Sequence, residues 1–235
     1  MILMTLIILF TVIIVPLLDV IGYKRIEREK SSKARMQFYY YLITIEWLIV
    51  GAIFLVSYLN GISMKELGFI FQFETISNFL YFIGGLLTST IVLFFVLSRI
   101  PFYRKMLEKQ LSLIEHMLPA SIKERLVFAL GAITAGICEE IIYRGFLFHY
   151  FSQAPFELST TMIMIVTSVI FGLAHIYQGW KGVIVTGLVG FLMARFYVNS
   201  GTLIIPIILH IIIDLRFAVL PNLNKKSNTS IALEK

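Results

Sequence analysis

The sequence has only one cysteine, Cys138, and few charged residues, which make up 14% of its 235 residues. A single cysteine excludes a disulfide within the chain and a cysteine-rich metal site. Soluble globular domains carry about 25% charged residues, so the low share of charge argues against a soluble protein. The hydrophobic share is 58% and the mean hydropathy is +0.87. This composition predicts a polytopic membrane protein, and the length suits one compact helix bundle.

The formal net charge of +6 does not indicate a nucleic-acid partner, because the basic residues are concentrated between apolar segments. Residues 22–38 hold six of them against two acidic residues. Loops on the cytoplasmic side of a membrane carry this excess of Lys and Arg. We therefore expect the chain to have the lipid bilayer as a partner and to bind no nucleic acid.

Apolar runs of about 20 residues, the length that crosses a bilayer as a helix, occur seven times. They cover residues 2–21, 40–60, 78–98, 125–151, 159–177, 181–199 and 202–220. We predict an all-α, polytopic membrane bundle of about seven transmembrane helices, or eight. The first run has no basic segment before it and no small-residue cleavage site, so we expect a retained span and not a signal peptide.

The segments between these runs predict an orientation. Residues 22–38 and 99–124 and the polar tail 221–235 are basic, whereas residues 61–77 have one lysine against two glutamates. This alternation predicts a multi-pass protein of the cell membrane with its N-terminus outside and its C-terminus in the cytoplasm. Apolar residues recur at helical intervals within 99–124, which predicts an amphipathic helix on the cytoplasmic surface. Residues 1–124 thus form an N-terminal unit of membrane helices with basic loops.

Three short polar clusters interrupt the apolar second half of the chain. They read EEIIYR over 139–144, FGLAH over 171–175 and HIIID over 210–214. Ionisable groups inside a membrane cost a few kcal/mol each on insertion scales, and they are commonly functional. These clusters are therefore the main indication of function in the sequence.

Helical spacing predicts how the residues of each cluster pair. Residues four apart share a face of a helix, so Glu140 is expected to form an ion pair with Arg144. Glu139 points elsewhere, which makes it the better candidate for a general base. His210 and Asp214 repeat the same spacing on the last helix, where the aspartate could fix the tautomer of the histidine or bind substrate.

Two kinds of chemistry fit a group made of Glu139, His175 and His210. The three side chains could hold and activate a water molecule directly. They could equally bind a divalent metal ion such as zinc, which makes a bound water nucleophilic near neutral pH. Each residue also has a structural interpretation, because a buried ion pair or a membrane histidine can serve only to join helices.

In their order and spacing, the three clusters resemble the motifs of the CPBP family of intramembrane proteases. This family includes the CAAX prenyl endopeptidases and bacterial bacteriocin-processing or self-immunity proteins. Its pattern is EExxxR, FxxxH and then HxxxN or HxxxD on separate membrane helices, and the resemblance covers roughly residues 125–220. It implies a catalytic membrane domain over 125–220, with a cavity that opens to the cytoplasm and in which water attacks a peptide bond.

The resemblance also implies a role for each motif residue. Glu139 and His175 would activate the water, while Glu140 with Arg144 would organise the motif. His210 and Asp214 would lie on the oxyanion side. Many relatives carry asparagine at the position of Asp214, and an ionised carboxylate cannot donate a hydrogen bond to an oxyanion. Asp214 is therefore either protonated or only orients His210.

We therefore predict an intramembrane endopeptidase that cleaves a peptide or a membrane-anchored protein. The sequence lacks HExxH and does not dictate zinc, so we favour a metal-free, glutamate-type protease over a metalloprotease. One alternative is a catalytically silent bacteriocin-immunity or scaffold protein that acts by binding alone. A transporter is a second alternative, although the sequence has neither repeat symmetry nor a matched pair of broken helices.

Overall fold

The computed structural model describes residues 2–97, 99–101 and 115–219, and all regular structure in these ranges is helical. Its long helices are α1 Ile2–Glu29, α2 Ser32–Leu59, α3 Phe73–Leu97, α4 Ile122–Ser152, α5 Thr160–Ala174, α6 Gly179–Ser200 and α7 Ile204–Val219. One π-helical turn lies inside α1 at Phe10–Ile14, and a second lies inside α4 at Ile141–Phe146. The predicted all-α, polytopic helix bundle is confirmed.

Four segments of the described chain are long and apolar enough to cross a membrane: α1, α2, α4 and Ile176–Ser200, which contains α6. Helix α5 is apolar but has only 15 residues. Many large apolar side chains on these helices are exposed, among them Leu48, Leu55 and Leu188. Exposed apolar surface of this kind is expected where a helix faces lipid. The number of crossings and the orientation of the termini stay predictions.

The basic segment at 22–38 is mostly helical, where a loop was predicted. Helix α1 continues to Glu29 and α2 begins at Ser32, so only a tight turn separates them. Lys30 adopts the left-handed conformation, with a φ of 47°, and its N–H donates to Ile26 O at 2.8 Å. Ser31 caps α2 by accepting a hydrogen bond from Ala34 N. The prediction was wrong because Lys, Arg and Glu are good helix formers and extend both helices beyond their apolar runs.

Two other predicted segments lie largely outside the described residues. The amphipathic helix predicted within 99–124 falls mainly on residues 102–114, and the polar tail is residues 221–235. The described part of the first segment includes a short 3-10 turn at Glu115–Met117. Ser121 then caps α4 by accepting a hydrogen bond from Glu124 N at 3.2 Å.

A buried ion pair joins the first turns of α2 and α4. The guanidinium of Arg35 donates from Nε to Glu124 Oε2 at 2.9 Å and from Nη2 to Glu124 Oε1 at 3.2 Å. Ser32 Oγ and Ala120 N also donate to this carboxylate. Further along the same two helices, apolar side chains pack into the main core, including Ile53 and Cys138, both fully buried. Helix α4 is thereby fixed against the N-terminal half of the chain.

Glycines allow close contact between the helices that carry the polar clusters. A Cβ at Gly136 of α4 would lie 2.9 Å from the backbone nitrogen of Ile211 in α7. A Cβ at Gly172 of α5 would lie 2.7 Å from Val183 O in α6. Small residues at such positions let membrane helices approach each other closely. Helix α4 can therefore bring its polar residues directly against α7.

Candidate active site

Helix α4 changes from α to π geometry immediately after Glu139 and Glu140. The π-helical turn is Ile141–Phe146, and all six of its residues are buried. Single π turns inside α-helices are rare and are frequently found at functional sites. The first polar cluster therefore lies in the interior of the bundle, in an irregular part of its central helix.

The predicted ion pair between Glu140 and Arg144 is present and almost completely buried. Arg144 Nη1 donates to Glu140 Oε1 at 2.9 Å, and the two side chains are 1% and 0% exposed. Arg144 Nη2 donates to Gly190 O in α6 at 2.7 Å. The guanidinium carbon lies 4.7 Å from the centroid of the Phe171 ring in α5. One arginine thus connects α4, α5 and α6.

His210 of α7 joins this ion pair, which helical spacing did not predict. Its Nδ1 lies 2.7 Å from Glu140 Oε1, so an ionised Glu140 accepts hydrogen bonds from both His210 and Arg144. Its Nε2 lies 3.7 Å from Glu139 Oε2 and 3.6 Å from Asp214 Oδ2. These last two distances are longer than hydrogen bonds. His210 therefore has one nitrogen fixed by Glu140 and one directed towards two carboxylates.

His175 lies at the C-terminal end of α5, where its Nδ1 is 2.8 Å from Phe171 O. Nδ1 donates to this carbonyl, so the neutral imidazole keeps Nε2 as an acceptor. The Phe171 ring is 4.8 Å from the His175 ring and 6.1 Å from the His210 ring, measured between centroids. The Phe171 ring thus packs near both histidines. Asp214 is within electrostatic range of His175 as well as of His210.

The structure brings the six predicted residues to one region. Across residues 2–97, 99–101 and 115–219, no group of three or more His, Cys, Asp or Glu side chains is placed so that it could hold a metal ion. In both histidines Nδ1 already has a partner, which leaves Nε2. The orientation of the two rings is nevertheless compatible with metal binding through Nε2, because a histidine that binds a metal usually has its other nitrogen bonded to a carbonyl or a carboxylate. The metal set of Glu139, His175 and His210 and the metal-free alternative both stay predictions.

Two acidic residues of the N-terminal helices were missed from the sequence. Asp19 of α1 and Glu46 of α2 lie within electrostatic range of Glu139. In the part of the chain that the structure describes, Asp19 Oδ1 and Glu46 Oε2 are buried and have no hydrogen-bond partner. The sequence contains a signal for both residues, because each is the only charged residue in its apolar run, 2–21 for Asp19 and 40–60 for Glu46. A lone carboxylate in a membrane span indicates a functional site.

The contact between α4 and α7 predicts the effect of a single methyl group. In Gly136→Ala the new Cβ meets the backbone nitrogen of Ile211 at 2.9 Å, so α7 must move, and His210 moves with it. Overpacking of this kind costs about 1–3 kcal/mol. We expect lower stability in a detergent unfolding titration. Gly51→Ala is the matched control, since a Cβ there has nothing within 4 Å. Equal behaviour of the two variants would contradict the close approach.

A comparison with protein families points to the same part of the chain. Residues 121–216 match the family model described as Rce1-like, type II CAAX prenyl endopeptidase Rce1-like. The match is somewhat less than half of the chain; it begins at the cap of α4, ends within α7 and includes all six motif residues. No curated protein and no solved structure matches the chain significantly.

Proposed function

Because the chain belongs, by residues 121–216, to the family of CAAX-type intramembrane proteases, we propose that it hydrolyses a peptide bond with a water activated by Glu139 and His175. The substrate is a peptide or a membrane-anchored protein. The observation that carries this proposal is the position of His210, with Nδ1 at 2.7 Å from Glu140 and Nε2 between Glu139 and Asp214. A candidate base, Glu139, thus lies near a candidate hydrogen-bond donor, His210, which is itself held by Glu140.

In the proposed reaction, Glu139 takes a proton from the water as its oxygen attacks the carbonyl carbon of the scissile bond. Nε2 of His175 accepts the other hydrogen of the water and so orients it. Glu139 then gives its proton to the leaving amide nitrogen, which leaves as an amine. A base of this kind contributes roughly 10²–10⁴-fold to the rate.

His210 is the proposed donor to the carbonyl oxygen, where negative charge develops. When protonated, His210 donates Nδ1–H to Glu140 and has Nε2–H available for the oxyanion. The ion pair between Glu140 and Arg144 holds the ring in place, because Arg144 is itself bonded to Gly190 O. Asp214, 3.6 Å from Nε2, orients the ring and stabilises its positive charge. A donor that is already in place needs little reorganisation in the transition state.

We propose a metal-free, glutamate-type reaction, and cleavage assays with a chelator test it. The chain is purified in detergent and incubated with a peptide library, with and without EDTA, and the products are identified by mass spectrometry. We expect cleavage at defined bonds and the same rate in both samples. Loss of cleavage with EDTA and its recovery with zinc would contradict the metal-free reaction but not the protease. The absence of any cleaved peptide would argue against the protease.

A further inference from the structure

Two carboxylates outside the family motifs face the candidate active site from the N-terminal helices. Asp19 is 8% exposed, and its Oδ1 is buried without a hydrogen-bond partner among the described residues. Glu46 Oε2 and Glu139 Oε2 are also buried and have no hydrogen-bond partner among these residues. Glu46 lies within electrostatic range of Asp19, Glu139 and Asp214. Helices α1, α2, α4 and α7 therefore each direct a carboxylate to one region.

Contacts next to these two residues fix their positions. Tyr23 follows Asp19 by one helical turn, and its ring centroid is 5.4 Å from that of Tyr177, two residues after His175. Helix α1 thus runs past the histidine end of α5. Trp47 follows Glu46 and donates from Nε1 to Thr134 Oγ1 of α4 at 3.2 Å. The stretch of α1 around Asp19 therefore lies near the end of α5, and the stretch of α2 around Glu46 lies against α4.

The charges in this region do not balance among the described residues. Four carboxylates, those of Asp19, Glu46, Glu139 and Asp214, share it. The buried cation Arg144 is bonded to Glu140 instead. The ring of His210 is bonded to Glu140 through Nδ1, and its Nε2 lies 3.7 Å from Glu139 and 3.6 Å from Asp214. Asp19 and Glu46 form no ion pair with any residue that the structure describes. Tyr41 lies within electrostatic range of Asp19 and Glu46, but its hydroxyl supplies no positive charge. A buried carboxylate without a partner is protonated in the free protein or is paired with a cation. Asp19 and Glu46 can therefore ionise when a cationic group of a ligand enters the region, and each would then gain a charged partner.

We propose that Asp19 and Glu46 form a subsite for a positively charged group of the substrate close to the scissile bond. The proposal rests on the proposed protease function and names its substrate class. The group is a protonated nitrogen, either of a Lys or Arg side chain or of a free N-terminal amine. A substrate carboxylate at the same place is repelled by the same two residues, so specificity has both an attractive and a repulsive component.

The test compares hydrophobic peptides that differ at one central position, which is Lys, norleucine or Glu. Each is made with a free and with an acetylated N-terminus, which separates a side-chain cation from a terminal amine. Cleavage by the detergent-purified chain is measured as kcat/KM, and fluorescence anisotropy gives the binding of each labelled peptide. We expect kcat/KM to be about tenfold or more higher for the Lys peptide than for the norleucine peptide, and lowest for the Glu peptide. One buried charge pair can produce a difference of this size.

Variants at the two carboxylates give the decisive comparison. Asp19→Asn and Glu46→Gln should each reduce the ratio of kcat/KM for the Lys peptide to that for the norleucine peptide to within about threefold. The change should occur mainly in KM. Asp19→Glu should restore the ratio. Glu74→Gln, at an exposed residue of α3, is the matched control and should keep the wild-type ratio. Neither variant at the subsite should lower the stability in detergent, because each removes a buried carboxylate that has no partner.

Three results would overturn the subsite. Cleavage of all peptides without a preference for a cation would contradict it and leave the protease standing. An unchanged preference in Asp19→Asn and Glu46→Gln, together with a lower stability, would assign both residues a structural role. If no peptide is cleaved, the protease proposal fails, and equal anisotropy-measured affinities for the Lys and norleucine peptides would then refute the subsite independently.

Discussion

Glu139→Gln is expected to abolish detectable hydrolysis, with kcat reduced by about 10²–10⁴-fold, the contribution of a general base. The amide has nearly the same shape as the carboxylate but cannot take a proton from water. Glu139 Oε2 has no hydrogen-bond partner in the described structure, so the substitution removes no bond that supports the fold. We therefore expect the variant to be as stable as the wild type and to bind peptides.

The measurement is kcat for a cleaved peptide, together with an unfolding titration in detergent. Glu74→Gln makes the same chemical change at an exposed position and should retain wild-type kcat. Wild-type activity in a folded Glu139→Gln variant would contradict the proposed role of Glu139 as the general base. If the cellular effect of the chain also survived this substitution, a catalytically silent immunity or scaffold protein would be the better interpretation. Solute uptake into liposomes by the same variant would favour a transporter.

Interactions within one helix could be predicted from the sequence, because spacing along the chain fixes them. Glu140 and Arg144 lie one helical turn apart, and their ion pair was predicted. The bond between His210 and Glu140 joins residues 70 positions apart, and no periodicity reveals such a contact. It depends on how closely α4 and α7 approach, which Gly136 permits. The order and spacing of the motifs predict the residues of the candidate site, but the packing of the helices determines which of them touch.

Asp19 and Glu46 were missed for a different physical reason. Helical spacing pairs a residue only with neighbours on its own helix, and neither of these acids has a charged residue three or four positions away. Both also lie outside the residues that carry the family motifs. Their relation to Glu139 arises from tertiary packing of α1 and α2 on the motif helices. The π-helical turn at Ile141–Phe146 was likewise not predictable from the regular spacing of apolar residues.

Arg144→Met is expected to lower the free energy of unfolding by about 3–5 kcal/mol, because it removes one partner of a fully buried ion pair. Glu140 then has only His210 as a hydrogen-bond donor among the described residues. It also removes the donor to Gly190 O and the cation beside the Phe171 ring. Cleavage should be lost as well, since Glu140 also fixes Nδ1 of His210. An unfolding titration in mixed micelles measures the first effect. Arg195→Met, at an exposed position of α6, is the matched control and should change stability little.

Arg144→Lys separates the charge of this residue from its shape. A lysine keeps the positive charge but has no planar fork, so it cannot reach Glu140 Oε1 and Gly190 O with the same geometry. We expect it to be more stable than Arg144→Met, yet poorly active, since the ring of His210 is no longer held as firmly through Glu140. Full activity in Arg144→Lys would show that charge alone is required at this position.

The double variant that combines Glu140→Gln with Arg144→Met tests why the single change is costly. It removes both charges together, so no uncompensated ion remains, and it should be more stable than Arg144→Met alone. It should nevertheless stay inactive, because the fixed acceptor for His210 Nδ1 is no longer a carboxylate. If the double variant is no more stable than the single one, the cost arises from lost packing against Phe171 and not from charge. In that case the ion pair stabilises the fold mainly by filling the space between α4, α5 and α6. Its contribution to activity then comes from the hydrogen bond between Glu140 and His210.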